Sequence, residues 1–308
     1  MEDLLAKKLV IVTGKGGVGK STVALAIGAA AARDGKRTIV CEVAAQDRLS
    51  RAFHQEKVGF HEKEMAPNLW AISIDPDEAM REYVLLQLKV KAMRDLLFRS
   101  KIFTYLAAAT PGLRELVTIG KIWELALDER KVKGARPYDL VIVDAPATGH
   151  GVGFLQTPRT FARVARVGPI ASQAETLHKF VTDKRKTGVA IVALPEEMPV
   201  NETAKLEQDL KEEVGVAVDR IFLNGLFPER FSADDEATIE GAFEDSEGSA
   251  RSALRAALSE RRRAVAQREQ LARLEEITEA PIRTMPFLFE PDLDYEHLRE
   301  LLEAAGVS

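Results

Sequence analysis

Residues 9–22 read LVIVTGKGGVGKST. The apolar run Leu9–Val12 predicts a strand buried on both faces, and the pattern that follows predicts a helix over Lys20–Ala32. Between them lies the spacing G-x-x-x-x-G-K-[ST], which indicates a phosphate-binding loop when a strand precedes it and a helix follows. Both conditions are met, so the stretch predicts an α/β protein with a nucleotide bound at this turn.

The residue types of this loop suit a triphosphate. Glycines let backbone N–H groups turn toward phosphate oxygens, and the N-terminus of the helix adds partial positive charge. We expect Lys20 to reach the β- and γ-phosphates and the Ser21 hydroxyl to bind Mg²⁺. The residues predicted to bind the nucleotide in this loop are Gly14, Gly16, Gly17, Val18, Gly19, Lys20, Ser21 and Thr22.

Lys15 is a second lysine within the same loop. Most lysines are solvated at the surface, and that is one interpretation of this residue. The other follows from its charge. A second cation beside a triphosphate could reach the γ-phosphate bound by a facing subunit, as an arginine finger supplied in trans does.

Further apolar runs alternate with helical patterns along the chain, including helices predicted over Asn201–Glu213 and Asp294–Ala305. The predicted fold is therefore an α/β parallel-sheet P-loop NTPase core with helices on both faces. Residues 76–131 and 232–276 hold more helical sequence than a single crossover needs, and we interpret both as helical insertions in one domain spanning 1–308. The other predicted strands are Thr38–Cys41, Leu69–Ile74, Leu140–Val143, Val189–Leu194, Arg220–Leu223 and Ile282–Met285.

Asp144 directly follows the predicted strand Leu140–Val143. An apolar strand that ends in a carboxylate matches the position from which an aspartate holds Mg²⁺ through water. By spacing alone Asp144 could equally cap a turn or helix, but the phosphate loop upstream favours the metal role. The Pro- and Gly-containing segment after it is predicted to act as a switch that senses the γ-phosphate, and His150 within it is not predicted to be a base.

Glu42 lies at the end of the second predicted strand, at the edge where ligands bind in open α/β sheets. We expect it to orient the attacking water or to reach the water shell of the metal. Asp47 is the alternative for that role, or it caps the next helix, but the position at the strand end favours Glu42. The predicted catalytic set is Lys15, Lys20, Glu42 and Asp144.

Composition limits the class of protein. The chain of 308 residues carries 43 Lys and Arg against 48 Asp and Glu, a net charge of −5, which argues against a dedicated nucleic-acid-binding protein. Its single cysteine, Cys41, excludes an intrachain disulfide and a zinc site made of paired cysteines within one chain. No run of about 18 uncharged apolar residues is present, so we expect a cytoplasmic protein.

These motifs together resemble the arsenical-pump and tail-anchored-protein-targeting ATPases, a family in the dimeric SIMIBI class of P-loop NTPases. The loop has the family's deviant form, in which the early lysine, here Lys15, contacts the partner's nucleotide. Residues 144–158, DAPATGHGVGFLQTP, resemble the family's second switch. The resemblance implies ATP and Mg²⁺ as cofactors and an adenine-reading role for Asn224, for which a turn asparagine is the alternative. It also places Pro286 where the family's adenine loop begins.

The chain departs from the family pattern at three points. The first switch of the family reads D-P-A-H, whereas residues 42–45 read EVAA, which keeps a carboxylate but makes slow hydrolysis plausible. The paired cysteines that bind zinc or metalloids in the family are absent, and with six methionines the chain shows no methionine-rich groove. The sequence resembles most closely the actinobacterial members, which often occur as paired paralogues that form a heterodimer.

The resemblance implies Mg-dependent ATP hydrolysis that drives an open/closed switch of a dimer and handles a protein client. The dimer would be a homodimer or a heterodimer with a paralogous ATPase. The client would be an apolar or membrane-associated protein. The expected location is therefore the cytoplasm, with peripheral association at a membrane allowed. No nucleic acid is expected as a partner. The apolar run Ile102–Ala109 fits either a client groove or core packing. Two alternatives are a low-turnover regulatory subunit of a heterodimer and the energising subunit of an anion or metalloid pump.

Overall fold

A mainly parallel β-sheet forms the centre of the protein in a computed structural model that describes residues 2–43, 57–87, 110, 112–165, 168–289, 297, 298 and 301. The strands are β1 Leu9–Gly14, β2 Thr38–Val43, β3 Lys63–Ala66, β4 Leu69–Ile74, β5 Leu140–Asp144, β6 Thr187–Ala193, β7 Arg220–Leu226 and β8 Ile282–Pro286. Among the described residues their order is β3-β4-β2-β5-β1-β6-β7-β8, and only the β3–β4 pair is antiparallel. All the strands predicted from apolar runs are present, and the α/β fold class is confirmed.

The sequence analysis did not predict the edge strand β3. It reads KEMA, and only Met65 within it is buried, so it lacks the apolar run that marks the other strands. It turns back onto β4 through Pro67 and Asn68, and Asn68 has a φ of 62°, in the left-handed region that asparagine tolerates better than most residues. The charged side chains of β3 give the sheet a polar edge that resists pairing with another chain.

Helices cover both faces of the sheet and create two hydrophobic cores. One core lies between the sheet and the helix after the first strand, with Val23 and Ile27 buried in it, and the other lies on the opposite face of the sheet, with Ile122 and Phe154 buried in it. In the described ranges no helix is both long and apolar enough to cross a membrane. The helices are α1 Glu2–Leu5, α2 Lys20–Arg33, α3 Pro76–Gln87, α4 Leu113–Leu125, α5 Thr148–Ala165, α6 Pro169–Thr182, α7 Glu197–Asp209, α8 Ala233–Glu244 and α9 Gly248–Ile277.

The start of α7 corrects the sequence prediction. A helix was predicted over Asn201–Glu213, but the helix begins four residues earlier, at Glu197. Pro199 lies in the first turn, where a missing N–H breaks no intrahelical hydrogen bond. The helix continues into a π-helical turn, Leu210–Val214, and ends before Gly215, which has a φ of 84°. Most of the helix predicted over Asp294–Ala305 lies outside the described residues.

Both stretches predicted as insertions are mainly helical where the structure describes them. Within 76–131, α3 and α4 pack on the sheet core, and residues 88–109, with the run Ile102–Ala109, lie outside the described part. Within 232–276, α8 begins with a capping box in which Ser232 and Asp235 bond each other's backbone N–H, and α9 pairs with α8 through Arg261 and Glu236. The division into one domain with two insertions stays a prediction.

Candidate nucleotide-binding site

The predicted site residues converge at the carboxyl ends of the central strands. The strand β1 lies between β5 and β6, and the loop that follows it leads directly into α2, whose first residue is Lys20. Asp144 closes β5, Glu42 lies near the end of β2, and Asn224 lies near the end of β7. Because carboxyl ends of parallel strands share one edge of a sheet, residues far apart in sequence meet around the loop.

Two glycines of the loop allow its close approach to neighbouring strands. Gly14 has a φ of 144°, and a Cβ there would lie 2.3 Å from the Val192 carbonyl oxygen of β6. Gly19 has a φ of 93°, and a Cβ there would lie 2.2 Å from the side-chain amide of Asn224. Any larger residue at either position would push the loop away from the sheet.

The loop and the end of β5 are joined by a direct contact between two oxygen-bearing side chains. Ser21 Oγ donates a hydrogen bond to Asp144 Oδ2 at 2.5 Å, and both side chains are buried. Lys20 Nζ donates to the backbone carbonyl of Lys15 at 2.7 Å, so its ammonium lies inside the loop. A hydroxyl beside a carboxylate is a donor set that suits Mg²⁺, and the enclosed lysine suits phosphate.

Glu42 lies close to Asp144 although the two come from different crossovers. It is the register partner of Asp144 on β5 and of Ser73 on β4, and it is 1% exposed. The carboxyl groups of Glu42 and Asp144 thus lie on adjacent strands beside the loop. Carboxyl oxygens are ligands that suit a bound cation. Its alternative, Asp47, lies outside the described residues.

Lys15 contacts a residue that the sequence analysis did not assign to the site. Its Nζ is 2.7 Å from Glu202 Oε1 on α7, and each side chain is 38% exposed. A half-exposed ion pair of this kind contributes about 0–1 kcal/mol, so a phosphate could displace Glu202 at little cost. The first turns of α7 therefore lie beside the phosphate loop, which no spacing pattern in the sequence indicated.

The predicted adenine residues lie on the opposite side of the loop from Asp144. Asn224 Nδ2 donates a hydrogen bond of 3.0 Å to the carbonyl of Val18, so its amide touches the loop. Pro286 ends β8 and is the register partner of Leu226. The ends of β7 and β8 therefore lie on the side of the loop away from Asp144.

The predicted second switch is partly a regular helix. After Asp144 the chain runs through Ala145–Ala147 and enters α5 at Thr148, and Phe154 and Leu155 of that helix are buried in the core. The backbone of His150 is helical, and its side chain lies outside the described part. The short segment between β5 and α5 is therefore the described stretch that lines the site directly, together with Gly16 and Lys20.

Arg130, Glu62, Glu124 and Tyr138 form a largely buried cluster of charged and polar side chains that the sequence analysis did not predict. The side chain of Arg130 has 0% exposure; its Nε donates to Glu124 Oε1 at 2.8 Å and its Nη2 to Glu62 Oε1 at 2.6 Å. Tyr138 donates its hydroxyl hydrogen to Glu62 Oε2 at 2.7 Å. The members come from separate segments of the chain, so no local pattern marks them.

Titration in this cluster is set by burial and by the arginine. Burial opposes the ionisation of Glu62 and Glu124, but the hydrogen bonds and charge of Arg130, added to those of Tyr138, Lys121 and the backbone, together outweigh it and hold the pKa of both carboxyls below the usual range. Burial, followed by the hydrogen bond to Glu62, raises the pKa of Tyr138. Burial likewise raises the pKa of the Cys41 thiol, which is fully enclosed next to Glu42 in β2. Cys41 therefore behaves as a small apolar residue.

Comparison with known proteins gives consistent matches. The model of the anion-transporting ATPase family matches residues 7–171 and 165–242. ATPase BagA of Mycobacterium tuberculosis is 30% identical over 241 residues, which cover 75% of this chain and 68% of that protein. A putative arsenical pump-driving ATPase of Halobacterium salinarum is 27% identical over 318 aligned residues, 97% of this chain and 45% of that protein. ATPase GET3 of Kluyveromyces lactis is 27% identical over 237 residues, 65% of this chain and 67% of that protein.

Proposed function

The chain belongs to the anion-transporting ATPase family and is a P-loop ATPase, and from this premise we propose that it hydrolyses Mg-bound ATP to drive a dimer between open and closed states. The observation that carries the proposal is the contact of Ser21 with Asp144, which brings a hydroxyl and a carboxylate together at the phosphate loop. The residues that determine this contact are 123 positions apart in the sequence. Their meeting beside an enclosed Lys20 supports a site for phosphate and a divalent cation together.

The chain's own side chains divide the work at this site. Ser21 would bind Mg²⁺ directly, and Asp144 and Glu42 would hold it through water, while the bound ion neutralises phosphate charge. Lys20 would move from the Lys15 carbonyl to the β- and γ-phosphates. Glu42, buried at the strand end, would orient the attacking water and accept its proton.

The dimer enters the proposal through Lys15. Its contact with Glu202 is half-exposed and weak, so the lysine is held near the loop without being committed there. Met198, about one helical turn before Glu202 on α7, is 64% exposed, which leaves an apolar side chain available for a facing surface. We infer that Lys15 leaves Glu202 for the γ-phosphate of a second subunit when ATP closes the dimer.

Mixing two inactive variants tests the role of Lys15 across the dimer. Lys15→Ala alone and Lys20→Ala alone should each lose most phosphate release. In a mixed dimer the Lys15→Ala subunit keeps an intact Lys20 and receives Lys15 from its partner, so one of the two sites is complete. An equimolar mixture should therefore recover about one quarter of the wild-type sites. The measurement is phosphate release with Mg²⁺ at several protein concentrations.

Each variant assayed alone at the same total concentration is the control for this mixing. If light scattering shows dimers with ATP but the mixture recovers no activity, Lys15 acts within its own subunit. If the isolated protein stays monomeric and slow until a paralogous ATPase is added, the alternative of a regulatory subunit in a heterodimer replaces the homodimer. The altered first switch, with Glu42 in place of the family's aspartate, is the observation that favours this second candidate.

Substitution of Glu42 separates hydrolysis from binding. Glu42→Gln preserves shape and removes the base, so we expect turnover to fall about 100-fold, as for loss of a general base. Affinity for ATP should stay within about twofold of wild type, because phosphate binding rests on the loop. Glu64→Gln, an exposed carboxylate on β3, is the matched control and should leave both values unchanged. Undiminished turnover in Glu42→Gln would transfer the role to another group, with Asp47 as the first candidate.

A cavity between the insertion helices and α6 supports a protein client. It has a volume of about 220 Å³ and is lined mainly by apolar side chains, among them Met80, Leu116, Trp123 and Leu177. Leu86 beside it is 40% exposed. We propose that an apolar segment of a client enters here when the dimer changes state, at the cytoplasmic side of a membrane. An energising role in a metalloid pump is less favoured, because the chain has one cysteine and it is buried.

A further inference from the structure

Thr13 carries a buried hydroxyl group beside the phosphate loop. The residue is 1% exposed and lies in β1 directly before Gly14, the first residue of the loop. Like Leu9 and Ile11, with which it alternates, it faces the side of the sheet that α5 covers. Among the described residues its Oγ1 has no hydrogen-bond partner. Because buried polar atoms are normally hydrogen-bonded, an unpaired hydroxyl at this position calls for an explanation.

Gly151, in the first turn of α5, lies against the Thr13 hydroxyl. A Cβ atom on Gly151 would lie 2.9 Å from Thr13 Oγ1 and 3.3 Å from the carbonyl oxygen of Pro146. A Cβ atom does not approach another heavy atom within 3.0 Å, so only glycine fits at position 151 while Thr13 keeps its side chain. The backbone of Gly151 is helical and its φ is not positive, so the position requires glycine for space and not for conformational freedom.

The same end of β1 holds the segment that joins β5 to α5 and lines the candidate site. The backbone N–H of Ala145 donates a hydrogen bond of 2.9 Å to the carbonyl of Val12, so the start of the segment is attached to β1. The N–H of Gly151 donates a bond of 3.2 Å to the carbonyl of Ala147, and Gly151 itself rests on Thr13, so the end of the segment is attached as well. Two consecutive residues of β1 thus determine where this segment lies beside the phosphate loop.

We propose that Thr13 and Gly151 are positioning residues for ATP hydrolysis, and that their contact sets how closely the segment 145–147 approaches the γ-phosphate. The inference rests on the proposed function, since it takes the phosphates to be bound at the loop. A displacement of about 1 Å can cost about 100-fold in rate, so a contact that fixes this distance affects turnover more than binding of the other phosphates. ADP lacks the γ-phosphate, so its binding should not depend on the contact.

The position of the Thr13 hydroxyl also gives the segment a reason to close. The first backbone N–H groups of a helix have no partner within the helix, and the hydroxyl lies at this end of α5. A small sliding movement of α5 along β1 would make one of these N–H groups a donor to Thr13 Oγ1. Closure of the segment on a γ-phosphate would then pair a hydroxyl that is unpaired in the structure described.

The test combines substitutions at the two positions. Gly151→Ala should lower ATP turnover about 100-fold, while its affinity for Mg-ADP, measured by calorimetry, stays within about twofold of wild type. Its affinity for a non-hydrolysable ATP analogue should fall several-fold, so the preference for the triphosphate is lost. Thr13→Ala alone should lower turnover several-fold, because the contact is removed. In Thr13→Ala/Gly151→Ala the new methyl group takes the space of the lost hydroxyl, so turnover should return to the level of Thr13→Ala alone.

Two variants serve as controls. Thr13→Val/Gly151→Ala keeps a branched side chain at position 13, so it should stay as impaired as Gly151→Ala. Gly241→Ala adds the same methyl group to α8, where it would have no neighbour within 4 Å, and it should behave as the wild type. Melting temperatures without nucleotide establish that each variant is folded.

The inference is overturned if folded Gly151→Ala turns over ATP as the wild type does, or if Thr13→Ala fails to restore turnover in the double variant. Equal losses of affinity for ADP and for the ATP analogue would also overturn it, because the defect would then lie in the loop and not at the γ-phosphate. If Gly151→Ala does not fold, wild-type turnover in Thr13→Ala overturns the inference. A wild-type protein that binds neither nucleotide would instead refute the proposed phosphate site itself.

Discussion

Lys20→Ala should lower ATP turnover by about 10²–10³-fold, the cost of removing one group that stabilises charge developing on the transferred phosphoryl. Lys20 is 4% exposed and its ammonium lies inside the loop, bonded to a backbone carbonyl. In water a lysine is a weak phosphate ligand, but inside a cradle of backbone N–H groups its charge is poorly screened. Phosphate release in the presence of Mg²⁺ and ATP measures this effect.

Lys205→Ala is the matched control, because the side chain of Lys205 is 77% exposed on α7 and its Nζ lies 3.9 Å from Asp209. It should retain wild-type turnover. The stabilisation of the fold by ATP, seen as a rise in melting temperature, should also disappear in Lys20→Ala and persist in Lys205→Ala. Wild-type turnover in a folded Lys20→Ala protein would contradict the assignment of this loop as the phosphate site.

Arg130→Ala should lower the free energy of unfolding by about 3–5 kcal/mol, the range for breaking a buried ion pair from one side. The side chain of Arg130 has 0% exposure and pairs with two carboxylates, Glu62 and Glu124. Its removal leaves the buried Glu124 with Lys121 at 3.5 Å, and leaves Glu62, whose side chain is 25% exposed, with the Tyr138 hydroxyl. Both carboxylates then lose their closest positive charge and must either stay charged or take up protons. Urea denaturation at neutral pH measures the loss.

The pH dependence distinguishes this cause from a simple packing defect. In the fold the pKa values of Glu62 and Glu124 lie below their usual values, so their stabilising contribution is present above the unfolded-state pKa of about 4.3 and is lost as the pH falls below it. The gap between wild type and Arg130→Ala should therefore be widest near pH 7 and narrow in acid. Arg185→Ala, whose side chain is 85% exposed, should cost less than about 0.5 kcal/mol at any pH. A pH-independent gap would indicate that packing, not charge, is responsible.

Much of the fold follows from local patterns. Runs such as Leu9–Val12 and Leu140–Val143 predict buried strands because a strand covered on both faces needs no polar side chain. The helix after the loop and the glycine that ends the π turn are likewise local signals. The edge strand β3 and the start of α7 were mispredicted because an edge strand carries polar residues and a proline is compatible with a first helical turn.

Part of the candidate site could also be predicted from the sequence. The phosphate loop and Asp144 were predicted because each follows an apolar run that indicates a strand, and the carboxyl ends of parallel strands lie at one edge of the sheet. The sequence did not predict the ion pair of Lys15 with Glu202 or the hydrogen bonds of Gln267 to the backbone of Gly225 and Phe227. They join residues 187 and 40 or more positions apart, and their partners depend on how helices seat on the sheet.

The sequence alone predicted the class of protein, seven of the strands, the phosphate loop and the carboxylate Asp144. It could do so because hydrophobic periodicity and glycine-containing turns are patterns of neighbouring residues. Folding in three dimensions added what the periodicity could not contain. It enclosed the Arg130 side chain between two carboxylates and placed Glu202 against Lys15. It also stacked the rings of Phe227 and Phe287, which follow β7 and β8. These contacts arise because burial forces each polar group to find a partner from whichever segment packs against it.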